Sequence, residues 1–213
     1  AISLAMLKIL QAFGLEPAAT CGHSFGELTA LCAAGWIDEK TLLELSITRG
    51  QLMAAAGGNP NSAPGTMLAV QAPLTEIDAL LAGSNQKVVL ANRNSPVQGV
   101  LSGSTAAVQQ IEKICKTRKI RAIRLPVSAA FHSDQLNSAV QPFMNALKQV
   151  SIKPTPVDVF SNTTATPYPA DPAAVCALLS DQLIHPVNFV DEVENLYGAC
   201  CRTFVEIWPK SVL

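Results

Sequence analysis

Gly22-His23-Ser24-Phe25-Gly26-Glu27 is the stretch on which the reading of the fold turns. Small residues flank one serine. Residues 17–21 before it read as a short buried strand, and after it Leu28, Leu31, Cys32 and Gly35 recur at the spacing of an amphipathic helix. A serine between a strand end and a helix start sits on a sharp, strained turn, which needs glycine at close range and pushes the hydroxyl out of the sheet toward a ligand. The first free N–H groups of the helix, beginning with that of Phe25, point at the same spot and would stabilise an oxyanion forming beside Ser24. A glycine-rich turn whose serine merely caps a helix has the same letters. The strand before and the helix after favour a nucleophile.

Working outward, 213 residues that are 49% hydrophobic and 15% charged imply a globular chain with a substantial core, as one domain with a smaller subdomain. The net charge of −1 and the lack of a strong basic block give no reason to expect nucleic acid or an anionic membrane surface as partners. The loose basic segment 113–124 reads as a solvated helix end and strand entry. No apolar run reaches the roughly 18 residues of a membrane span, and no signal peptide opens the chain, so a cytoplasmic location is expected. Six cysteines without a C-x-x-C pair read as reduced core residues, and three histidines without i, i+4 spacing give little support to a metal site.

The chain opens directly into a helix carrying Ile2, Met6, Ile9, Leu10 and Phe13 and stopped by Gly14, with no initiator Met and no strand before it, as though cut from something longer. Asp38 is a candidate N-cap for a helix over 41–56, stopped by Gly57-Gly58. Arg49 falls on that helix's apolar stripe with Leu42, Leu45, Leu52 and Met53. A guanidinium there needs an anion, either a protein carboxylate or a ligand. Residues 59–64 form a loop or hinge. The stretches 65–71, 75–82, 87–91, 98–102, 105–116 and 120–127 then read as βαββαβ, with a turn at 92–96, the ferredoxin-like order. Strands at 157–161 and 203–207 alternate with helices at 172–183 and 190–197, which implies a mostly parallel sheet covered on both faces. The expected fold is therefore α/β: a parallel-sheet, α/β-hydrolase-like core over 1–62 and 127–213, with a small ferredoxin-like subdomain over 63–126 inserted into it.

A serine hydroxyl needs a base at neutral pH. His23 adjoins Ser24, but neighbours in a tight turn point apart, and His185 lies on a surface loop before Pro186. His132 sits between Phe131 and Ser133 where the chain re-enters the large body, flanked by small residues, and is the best candidate. An ordinary half-buried histidine is the competing reading. No acid announces itself as its orienting partner, so a distant carboxylate or a backbone carbonyl must serve.

Taken in order, residues 22–27, Arg49 placed 25 residues after Ser24, residues 91–96, Phe131-His132-Ser133, residues 186–189 and 204–213 resemble the acyltransferase family, which comprises malonyl-CoA:acyl-carrier-protein transacylases and the acyltransferase domains of polyketide and fatty-acid synthases. The resemblance implies that Ser24 takes an acyl group from coenzyme A and passes it to the phosphopantetheine thiol of an acyl carrier protein, with His132 as general base and acid. It further implies Phe25 N–H as an oxyanion donor, a backbone carbonyl near Asn188 as the group that orients His132, and Arg49, His23 and Phe131 as substrate-binding residues. No permanently bound cofactor is implied; the partners would be malonyl-CoA, a carrier protein and the other domains of a multifunctional synthase. Arg49 would grip a free carboxylate, and bulky Phe131 would favour malonyl over methylmalonyl. The wording is most similar to acyltransferase domains of large iterative synthases. Three departures stand out: an N-terminal strand with its Gly-Gln-Gly-Ser-Gln-like loop, source of a second oxyanion donor, is missing; Ala129 replaces a histidine; and Trp208 stands where a glycine normally precedes Pro209. The rival readings are a serine hydrolase and a non-catalytic docking module.

Overall fold

The computed structural model describes residues 2–57, 65–127 and 129–207. Helix α1 (Ile2–Ala12) ends at Gly14, whose φ of 79° lies in the left-handed region open to glycine. Strand β1 (Ala19–Thr20) leads into the serine turn, followed by α2 (Gly26–Ala33) and α3 (Glu39–Gly57). Asp38 caps α3 as expected, its Oδ1 accepting the Thr41 N–H at 2.7 Å. The buried stripe of α3 is Leu42, Leu45, Arg49, Met53 and Ala56, so the arginine does lie among apolar side chains.

Next come β2 (Gly65–Gln71), α4 (Leu74–Ala82), β3 (Val88–Ser95), β4 (Gln98–Ser104), α5 (Thr105–Thr117) and β5 (Arg121–Arg124). They form an antiparallel sheet of order β3-β4-β2-β5. The β3–β4 turn is tighter than residues 92–96 suggested: Ser95 still pairs with Gln98, which leaves Asn92 and Asn94 inside β3. Because side chains alternate across a strand, one sheet face sends Leu68, Val70, Leu90 and Leu101 into a core with Ile77 of α4 and Ile111 of α5. The other face presents Met67 and Val100, packed with Phe131.

The chain then runs through a 3-10 turn at Asp134–Leu136 into α6 (Asn137–Leu147), followed by β6 (Asp158–Val159), α7 (Pro172–Asp181) and α8 (Phe189–Gly198). Asp171 accepts the Ala174 N–H at 3.0 Å and Pro172 opens α7. The larger core joins Leu28 and Leu31 of α2, Leu45 of α3, Phe143 and Leu147 of α6 and Leu179 of α7.

Three expectations change. Among the described residues the parallel sheet is a single pair, β1 beside β6, with Thr20 opposite Val159. Residues 203–206 are exposed and join no strand. An apolar, β-branched run becomes a strand only where a neighbour supplies its ladder, and among the described residues this segment has none. Of the six cysteines, all free, only Cys115 and Cys176 are buried; Cys32 packs partly buried against the larger core, and Cys200 is exposed rather than a core residue. The loop at 59–64 and the Trp208-Pro209 departure lie outside the described residues. No helix among the described residues is long and apolar enough to cross a membrane.

Phe143 is fully buried on α6, which packs against both α3 and α7. Phe143→Ala is expected to lower stability by about 3–5 kcal/mol, read as a shift of the denaturant midpoint at unchanged slope.

Candidate active site

The serine turn is a backbone problem first. Ser24 holds φ at 52°, a region costly for a residue with a side chain. The turn closes so tightly that a Cβ on Gly22 would overlap the Gly26 carbonyl, so only glycine fits at that position. Gly26, by contrast, has open space where its Cβ would be. The outcome is a half-buried Ser24 whose Oγ stands 2.7 Å from His132 Nε2, although the two residues are 108 positions apart.

His132 also adopts a left-handed backbone, at φ 54°, and is only 3% exposed. Its Nδ1 lies 3.0 Å from the Gln182 carbonyl and 3.1 Å from that of His185. Both partners are acceptors, so Nδ1 carries the proton and Nε2 presents its lone pair to the serine O–H. The expectation that a carbonyl near Asn188 would hold the ring is thereby corrected. The C-terminal end of α7 and the loop after it supply the carbonyls, because the chain turns back there before Pro186. Asn188 instead sends its Nδ2 to the Thr163 carbonyl at 2.9 Å and precedes α8. Burial, reinforced by the Arg49 charge, lowers the His132 pKa to about 4. The ring is neutral near pH 7 and able to take the Ser24 proton.

Arg49 is 6% exposed. Its Nη2 donates to Ser24 Oγ at 3.3 Å and to Gln182 Oε1 at 3.2 Å, and the guanidinium carbon is 5.9 Å from the Phe25 ring centroid. Among the described residues no carboxylate lies within ion-pairing distance of it. Burial pulls its pKa down to about 10, while the buried Glu27 acts in the opposite direction. It therefore stays charged at neutral pH, and its hydrogen bonds among the described residues run through Nη2.

These groups open on a cavity of about 870 Å³ whose lining includes Ser24, Arg49, His132, Met67 and Phe131. His23 lines it as well, its Nε2 2.7 Å from Asn94 Oδ1 on β3 and its ring 5.6 Å from that of Phe189; burial lowers its pKa. Phe25 is 40% exposed, and its N–H has no acceptor among the described residues. His185 lies on the surface with Nδ1 on the Asp181 carbonyl, away from the site. Two participants were missed in the sequence. Gln182 is fully buried and bonds Arg49 and the Ser24 carbonyl, the latter at 2.9 Å; its spacing of three and seven residues from the buried Leu179 and Val175 was the available signal. Asn94 was hidden because its strand was read as a turn. Among the described residues no group of His, Cys, Asp and Glu could hold a metal ion.

A sequence profile for the acyl transferase domain matches residues 1–213. A polyunsaturated fatty acid synthase polypeptide of Thraustochytrium sp. is 33% identical over 215 residues, covering 100% of this chain and 7% of that protein. The malonyl CoA-acyl carrier protein transacylase of Bacillus subtilis (strain 168) is 33% identical over 213 residues, covering 99% of this chain and 67% of the relative. A type II polyketide synthase acyl-carrier protein in complex with its malonyl-transacylase superposes with a TM-score of 0.89 at 29% identity, covering 99% of this chain and 69% of that one. The chain thus spans a small part of the large synthase and about two thirds of the free-standing relatives.

The low pKa of His132 has a measurable sign. Labelling of Ser24 by a fluorophosphonate should be level through neutral pH and fall as pH drops through about 4, where Nε2 gains a proton. A rate–pH profile checks this, and a midpoint near the ordinary 6.5 would contradict it.

Proposed function

The chain belongs to the acyl transferase domain family, and from that premise we propose that it moves a malonyl group from coenzyme A, through an ester on Ser24, to the phosphopantetheine thiol of an acyl carrier protein. One observation carries the reading: a buried guanidinium with no carboxylate partner among the described residues stands 3.3 Å from the serine oxygen. An arginine so placed can take the free carboxylate of a dicarboxylic monothioester, while the thioester carbon lies against Ser24. The malonyl-transacylase relatives support the same substrate class.

The chemistry follows from the hydrogen bonds. Ser24 Oγ attacks the thioester carbonyl as its proton passes to His132 Nε2, and the Gln182 and His185 carbonyls hold the resulting imidazolium at Nδ1. The Phe25 N–H, without an acceptor among the described residues, faces the developing oxyanion. When the tetrahedral intermediate collapses, the C–S bond breaks and coenzyme A leaves with the proton from His132. The carrier thiol then gives its proton to Nε2, its sulfur attacks the ester, and Ser24 leaves with the proton returned. A malonyl carboxylate on Arg49 also offsets the positive field that weakens His132 as a base, so the right substrate strengthens the base that attacks it. Phe131 lines the cavity beside His132 and narrows the space for an α-methyl branch.

The carrier-protein partner is supported by the solved complex of a related transacylase, and the setting in a larger synthase by the fatty acid synthase relative. A cytoplasmic setting goes with this reading. Residues 63–126 are read as a ferredoxin-like subdomain inserted into an α/β-hydrolase-like body of 1–62 and 127–213, in keeping with the β3-β4-β2-β5 order. A hydrolase would leave Arg49 to a structural partner; among the described residues it bonds the neutral Gln182 Oε1 and Ser24 Oγ, and no carboxylate lies within ion-pairing distance to neutralise it. The Ser24–His132 hydrogen bond speaks against a vestigial site.

Mixing the chain with malonyl-CoA should give a malonyl adduct on Ser24 by intact-mass spectrometry. Arg49→Ala should lower kcat/KM for malonyl-CoA by roughly 30-fold or more, the effect of losing one partner of a buried charge pair at about 2 kcal/mol, while transfer from acetyl-CoA is spared. Malonyl loading that survives the substitution would sink the specificity assignment.

A further inference from the structure

Beneath the serine turn lies a buried polar cluster whose Asn162 and Glu192 do not line the cavity. Asn162, just past β6 and fully buried, is its centre. Its Oδ1 accepts the Ser24 N–H at 2.6 Å and Gln182 Nε2 at 3.4 Å. Its Nδ2 donates to the Gly22 carbonyl at 2.8 Å and to Glu192 Oε2 at 2.7 Å. Its own N–H donates to Glu27 Oε1 at 2.8 Å, and its carbonyl accepts the Asn188 N–H at 2.9 Å.

Two things here need a reason. A backbone at φ 52° turns the Ser24 N–H away from any strand ladder, so a side chain must accept it. And Glu192, on α8, is a fully buried acid with no cation within ion-pairing distance among the described residues, while its Oε1 has no partner there. Such a group is costly unless it does something an apolar residue could not. Burial, and then the charge of Glu27, raise its pKa to about 9, so it is uncharged near pH 7 and its Oε2 serves as an acceptor.

We propose that Glu192 is a positioning residue for the nucleophile: by accepting from Asn162 Nδ2 it fixes the sense of the Asn162 amide, so that Oδ1 holds the Ser24 N–H and keeps Oγ aimed at His132. A flipped amide would set an NH2 group against the Ser24 N–H and an oxygen against the Gly22 carbonyl. The Gly22 carbonyl can only accept and the Ser24 N–H can only donate, so one orientation alone satisfies both, and in it Glu192 Oε2 takes the second Nδ2 hydrogen and holds the amide there. This inference rests on the reading of Ser24 as the nucleophile, and it is independent of which acyl group is carried.

The test reads Ser24 directly with a fluorophosphonate on the full chain, as a saturable labelling reaction, alongside thermal unfolding. A misplacement of about 1 Å at a reacting atom costs on the order of 100-fold in rate. Glu192→Leu should therefore cut the maximal labelling rate roughly tenfold to a hundredfold with the half-saturating probe concentration unchanged, and Glu192→Gln, which keeps an oxygen acceptor, should restore it. Should Glu192→Leu fail to fold, Glu192→Asp, which withdraws the oxygen by one methylene, should show the same split at smaller size. Folded Leu or Asp variants that label like the unsubstituted chain would overturn the proposal, as would a Gln variant as slow as Leu. Absence of labelling in the unsubstituted chain would overturn it together with the nucleophile assignment. Normal labelling without a malonyl-CoA adduct would count against the malonyl reading alone.

Discussion

The structure depends on one backbone constraint: Ser24 held in the left-handed region at the mouth of α2, with the Gly22 backbone pressed against the Gly26 carbonyl. That strain exposes Oγ and leaves the Phe25 N–H without an acceptor among the described residues, and both consequences follow from the turn before any other residue is considered. Holding the turn requires partners for the groups it strands. The chain supplies them from distant segments: Asn162 after β6 takes the Ser24 N–H, and Gln182 at the end of α7 takes the Ser24 carbonyl. The elbow is thus local in origin and global in its support.

Electrostatics around it follow the same logic. Arg49 and His132 are both buried, and each bears on the other, since the guanidinium charge weakens the imidazole as a base. Glu27, fully buried at the start of α2, feels both burial, which raises its pKa to about 7, and the Arg49 charge, which acts the other way. Its Oε1 takes hydrogen bonds from Tyr168 and Asn162. Glu27 and Arg49 thus bear on one another without an ion pair between them among the described residues.

The four-stranded sheet shows how a second layer completes the site. Period-2 alternation commits one face to its own small core and turns the other, with Met67, Asn92 and Val100, to the cavity. Two backbone hydrogen bonds, Arg93 N–H to the Val187 carbonyl and Val187 N–H to the Ala91 carbonyl, tie the edge of that sheet to the segment that enters α8. Asn94 reaches His23 from the same strand. Sheet and elbow are therefore fixed against one another by hydrogen bonds close to the reacting atoms.

The sequence by itself determined what arises from short-range rules: the glycine-flanked turn, the Asp38 cap, the βαββαβ order, and the placing of a cation on the apolar stripe of α3. These are set by sterics and periodicity over a few residues. It also singled out His132 among three histidines, since small neighbours permit close approach. Only the tertiary structure decided which carbonyls orient that histidine, that Asn162, Gln182 and Glu192 lie under the turn, and that residues 203–206 stay out of a strand. Each of those depends on which segments, over a hundred positions apart in some cases, come within hydrogen-bonding distance. A polar residue's partner across the fold leaves no periodic trace along the chain.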